Sequence, residues 1–92
     1  MKFVFTKHAT FDKFAILKKH KFKTPVTKRL IKEIILNPEH ADEESDKPNI
    51  IASKSIDVNH ILRVVYRKEF DIIRVITFYP AEKGRYYETK TN

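Results

Sequence analysis

Arg63 and Arg67 stand four residues apart in a β-branched run over residues 60–67 that predicts a strand. Period-two alternation puts both guanidinium groups on one side with Ile61 and Val65, and leaves Leu62, Val64 and Tyr66 on the other. In the following run, residues 70–79, Arg74 interrupts an apolar series and shares its side with Ile72, Ile76 and Phe78 on the same alternation. Such an arginine either snorkels at an edge or faces a ligand. Beyond the run lies Tyr79-Pro80-Ala81-Glu82-Lys83-Gly84-Arg85-Tyr86-Tyr87. Cations that hold phosphates and flat side chains that stack on unpaired bases are what RNA recognition requires. This segment has both in Lys83, Arg85, Tyr86 and Tyr87, although the two tyrosines serve equally well as the last pieces of a core.

Other chemistries are narrowed by what the sequence lacks. With no Cys there is no disulfide, thiolate metal site or thiol nucleophile. One Gly cannot make a phosphate-cradling loop, and no Gly-x-Ser-x-Gly elbow occurs. Of the four His, His8 is the best general-base candidate, at the junction of the first strand and first helix, where it either faces a groove or organises the helix start. His20, His40 and His60 form no constellation in the sequence, the His spacings lack a paired helical metal motif, and neither metal nor cofactor is expected.

Nineteen Lys and Arg against twelve Asp and Glu give a formal charge of +7. Five of the acids, Glu39, Asp42, Glu43, Glu44 and Asp46, fall in one segment, so the remainder is more basic than the total implies. A field of that sign gathers polyanions, though Lys-rich surfaces also serve solubility. The acidic segment is an exposed loop over 39–48, either a solvated linker or an internal decoy for the basic face. Apolar runs are too short to span a bilayer and the first residues have no signal-peptide core, which points to a cytoplasmic protein with no membrane partner.

The elements that must position these residues follow from periodicity. Ninety-two residues, 41% hydrophobic, make one domain over 1–92, with 88–92 as a frayed tail. Residues 2–6 predict an opening strand, and residues 8–21 a first helix with Phe11, Phe14, Ala15 and Leu17 inward. Thr24-Pro25 starts a second helix with a stripe of Val26, Leu30, Ile31, Ile34 and Ile35, stopped at Asn37-Pro38. Strands follow at 50–56, 60–67 and 70–79, with Lys68-Glu69 as the last hairpin connection. The expectation is an α+β fold, β-α-α-β-β-β, with a helical hairpin on one face of a small, mainly antiparallel sheet and the other face free to bind.

This order, with Leu62-Arg63-Val64-Val65-Tyr66-Arg67, a second hydrophobic strand and then Lys83, Arg85 and Tyr86, resembles the RelE/ParE superfamily of toxins. His8-Ala9, Asn37-Pro38 and Arg74-Val75-Ile76-Thr77-Phe78-Tyr79-Pro80 resemble, more closely, a RelE-like branch of small domains of unknown function. The resemblance implies metal-independent cleavage of messenger RNA, often on the ribosome, by attack of a 2′-hydroxyl on the neighbouring phosphate. Arg63 would hold that phosphate, Lys83 or Arg85 would be the second cation, and Tyr86 or Tyr87 the base-stacking or proton-handling aromatic. Lys54 would match the lysines of the second strand, with Arg67 and Arg74 as further RNA contacts. It also implies an acidic antitoxin as partner. Two alternatives remain: a non-catalytic module that binds RNA or protein, and a ParE-like toxin directed at gyrase. The oligomeric state is left open.

Overall fold

The computed structural model describes residues 2–7, 9 and 26–83. The expected first helix, His8, Thr24-Pro25, Arg85, Tyr86, Tyr87 and the tail 88–92 lie outside these residues. The strands are β1 Lys2–Phe5, β2 His40–Asp42, β3 Ile50–Ser55, β4 His60–Glu69 and β5 Ile72–Glu82; α1 is Lys28–Leu36. They form one mixed sheet in the order β1-β5-β4-β3-β2, with β1 parallel to β5 and the other pairs antiparallel.

The expected helical-hairpin α+β architecture is therefore corrected. Of the described residues 52% are strand and 18% helical, a mostly β fold with one short helix. Thr27, not Thr24, is the N-cap of α1: its hydroxyl accepts the Leu30 N–H at 3.1 Å. The helix is nine residues long and ends where Asn37 donates its N–H to the Glu33 carbonyl at 2.8 Å. Asn37 has φ of −136°, so the left-handed stop expected of it is not used. The acidic segment contributes a strand as well as a turn: β2 pairs with β3, His40 opposite Ser53 and Asp42 opposite Ile51. Its carboxylates are engaged locally. Glu39 accepts the backbone N–H and hydroxyl of Ser55, both at 2.9 Å, and Asp42 accepts the N–H groups of Glu44 and Ser45, both at 3.0 Å.

Of the predicted apolar stripe, Leu30, Ile31, Ile34 and Ile35 lie on α1, whereas Val26 packs on the core from before the helix. Ile31, Ile34 and Ile35 are buried and pack with Ala52, Leu62, Val64, Tyr66, Ile73, Val75 and Phe78 on one sheet face, joined by Phe3, Phe5, Val26, Leu30 and Ile50. Each such aliphatic side chain contributes about 1.5–3 kcal/mol when removed from water. Burial, together with the nearby Glu43 carboxylate, raises the pKa of the Tyr66 phenol. The Lys28 and Lys32 ammonium groups sit 5.2 and 5.5 Å from the ring centres of Phe5 and Phe3, which ties the helix to β1. The opposite face is not simply open, because Ile51, Ser53, Ile61 and Val65 are buried there.

Two irregularities set the geometry of that face. First, the β4–β5 register shifts between Val65 and Tyr66: Val65 faces Thr77 and Tyr66 faces Val75, so Ile76 is an extra residue in β5. Thr6 pins this bulge. Its hydroxyl donates to the Ile76 carbonyl at 3.0 Å and accepts the Ala9 N–H at 3.2 Å. Second, the β4–β5 turn is Phe70-Asp71, two residues later than Lys68-Glu69. Phe70 has φ of 57° and is fully exposed. A left-handed conformation costs a residue with a Cβ about 1–2 kcal/mol, and this turn position favours Gly.

Candidate nucleic-acid interface

The ladder registers assemble a row of side chains that the linear sequence scatters. His40 on β2 faces Ser53 on β3, Ser53 faces Arg63 on β4, and Arg63 faces Tyr79 on β5. Directly paired residues project to the same side of a sheet, so the four lie across one face, opposite α1. His40 and Arg63 are two strand spacings apart, about 10 Å. The bulge puts Tyr79 there. Beyond Ile76 the alternation changes phase, so Phe78 enters the core and Tyr79 turns to the arginines; Phe78 does not share a side with Arg74 as strict alternation predicts.

Arg63 is the best organised cation of the row. Its Nε donates to the Tyr79 hydroxyl at 3.0 Å, and the guanidinium carbon lies 5.8 Å from the centre of the same ring. Both residues are half-buried. On its other side, Ser53 is fully buried and its hydroxyl has no hydrogen-bond partner. The Thr77 hydroxyl, opposite Val65 and diagonal to Arg63, is likewise buried without one. A half-buried guanidinium held by a phenol is a planar, charged donor of the kind that recognises a phosphate oxygen.

Arg67 and Arg74 are directly opposed on the same face, nearer the β4–β5 turn. Like charges in that relation repel. Glu69 bridges them: Arg74 Nε donates to Glu69 Oε1 at 3.0 Å, and Arg67 Nε lies 3.2 Å from Oε2, near enough for an ion pair but not aligned as a hydrogen bond. Lys54, expected among the RNA contacts, falls on the other face, where its ammonium pairs with Glu33 of α1 at 3.2 Å. It is not part of this surface. The reason is register, since Lys54 faces Leu62 while its neighbour Ser53 faces Arg63.

Lys83 directly follows β5, and its N–H donates to the Asn59 carbonyl at 2.8 Å. The 57–60 turn that offers this carbonyl is itself held by Asp57, whose Oδ1 accepts the N–H groups of Asn59 and His60 at 2.9 and 2.8 Å and contacts the His60 ring Nδ1 at 2.9 Å. Partial burial opposes ionisation of Asp57, but these hydrogen bonds and the His60 ring prevail and hold its carboxyl below the usual carboxylate range. Arg85, Tyr86, Tyr87 and His8 lie outside the described residues, and the described part of the interface is made of β-sheet residues. His40, passed over in the sequence, gains its place from pairing with Ser53; period-two alternation within β2 carries no sign of that partner.

Among the described residues no His, Cys, Asp or Glu cluster is placed to hold a metal ion, and no helix is long and apolar enough to cross a membrane. Comparison of the chain with family models, curated proteins and solved structures gives no match.

Proposed function

We propose that the chain binds single-stranded RNA across the sheet face opposite α1, with Arg63 as the phosphate anchor. The observation that carries this reading is the Arg63–Tyr79 pair, a guanidinium pre-oriented by a phenol on the sheet face opposite α1. Pre-orientation lowers the ordering cost of gripping a phosphate, and the net charge of +7 supplies the long-range attraction. Fluorescence anisotropy of the whole chain with a labelled single-stranded RNA over a salt series tests it. The expected result is salt-sensitive affinity, weakened about tenfold or more by Arg63→Ala and less by Tyr79→Phe. Unchanged binding by Arg63→Ala would refute the anchor.

One observation favours a second reading, metal-independent cleavage: His40 stands in the same row as Arg63. An imidazole there would take the proton of a ribose 2′-hydroxyl as its oxygen attacks the phosphorus held at Arg63. The 2′-O–P bond forms and the P–O5′ bond breaks, leaving a cyclic phosphate and a 5′-hydroxyl that receives a proton. This is the chemistry that the resemblance to RelE/ParE toxins implies. It predicts growth arrest on expression and cleavage of message on translating ribosomes. His40→Ala should abolish cleavage while RNA affinity stays within about twofold. Affinity without cleavage by the wild type leaves the binding module alone.

A further inference from the structure

Phe70 combines two unfavourable features at the tip of the β4–β5 hairpin. Its ring is fully exposed to water, and its backbone holds a positive φ in a two-residue turn, at a position that glycine fills without strain. Neither feature is compensated by packing, since no described core residue touches the ring in the hydrophobic cluster. The turn presents an aromatic ring to solvent just beyond the last β4–β5 ladder pair. We propose that Phe70 is a stacking platform for an unpaired base of RNA, an inference that rests on the RNA-binding reading and adds a second contact point to it.

The occupant follows from what surrounds the ring. Arg67, Lys68, Arg74 and, across the β1–β5 ladder at Ile72, Lys2 cluster near the tip, against Glu69 and Asp71. An apolar ring within a net-positive collar suits a ligand that is itself a flat ring carried on an anionic chain. A nucleobase on a phosphodiester backbone is that ligand, and every base has a face to stack. Phe70 is seven residues from Arg63, about 23 Å along the strand, so one RNA strand lying along the hairpin would meet the phosphate anchor and the ring in turn. Glu69 keeps both arginines at the base of the tip in fixed positions beside that path.

The test uses the whole chain, a fluorescein-labelled 12-nucleotide single-stranded RNA and the same sequence as a blunt duplex. Phe70→Gly removes the ring and relieves the strained φ, and Phe70→Asn removes the ring with a residue that tolerates the left-handed region. Both should melt at or above the wild-type temperature, so lost binding is not lost folding. Affinity for the single strand should fall roughly five- to 150-fold, the value of one stacked base, with little change in the slope against salt and none for the duplex. Phe70→Tyr should bind like the wild type. Wild-type affinity in the Gly and Asn variants overturns the platform and leaves the RNA-binding reading standing. A wild-type chain with no measurable affinity for either RNA overturns both. Loss of self-association in the Gly variant with RNA affinity intact identifies the ring as a contact between copies, and also overturns the proposal.

Discussion

Glu69 makes a sharp test because its removal should move stability and RNA affinity in opposite directions. The carboxylate touches Arg74 at 3.0 Å and Arg67 at 3.2 Å, and all three side chains are between 34% and 39% exposed. At that exposure each ion pair contributes about 0.2–1 kcal/mol, and unshielding two directly opposed arginines costs a similar amount. Glu69→Gln should therefore destabilise the domain by about 1–2 kcal/mol. For a domain of this size that lowers the melting temperature by roughly 5–15 °C. The loss should shrink in about 1 M salt, where the Debye length falls to about 3 Å. The two freed arginines should meanwhile tighten single-stranded RNA binding, steepening the dependence of log K on log salt by about 0.7 for each phosphate newly engaged. Thermal melts and anisotropy at low and high salt read both effects. A variant that melts with the wild type at low salt, or whose loss is independent of salt, would refute the bridge; one that gains no affinity would remove Arg67 and Arg74 from the interface.

Ser53→Ala should stabilise the protein by about 1 kcal/mol, read as a higher urea midpoint at unchanged slope, because it deletes a buried hydroxyl with no partner. Destabilisation would show that the hydroxyl is satisfied. Asp57 has its carboxyl held below the reference value of 3.8, so its contribution is fully present above that pH and is lost as pH falls through the lowered folded value. Asp57→Asn should therefore melt below the wild type at pH 6, and the gap should narrow as pH falls below 3.8. A gap of constant size across that range would assign the effect to something other than ionisation.

Much of the sheet was legible because β-branched runs are loud. Ile50–Ser55 and His60–Glu69 lie where periodicity places strands, and the buried side of α1 follows the expected stripe from Leu30 to Ile35. Three features were not. His40–Asp42 is polar and sits in an acidic run, and an edge strand of three residues needs no apolar pattern. Polar residues mark turns and so point to Lys68-Glu69 for the β4–β5 turn, whereas the chain bends at a phenylalanine that local propensity disfavours there. The extra residue at Ile76 is invisible to alternation, yet it turns Tyr79 toward Arg63 and Phe78 into the core. For the candidate interface, period two alone puts Arg63 and Arg67 on one side, whereas only the β4–β5 register sets Arg74 opposite Arg67. His40 needs the β2–β3 register, and Lys54, expected from the resemblance, is set on the α1 side by the β3–β4 register.

The parallel pairing of β1 with β5 links Lys2 to Ile72 and Phe5 to Val75, positions seventy residues apart. A contact that distant carries a large loop-closure entropy, whereas β4 and β5 meet through a two-residue turn. During synthesis the hairpin can zip as soon as it emerges, whereas β1 must wait for β5, seventy residues later, before it has a docking partner. Until then the outer edge of β5 is an uncapped template, and a second nascent chain could supply the missing strand in trans.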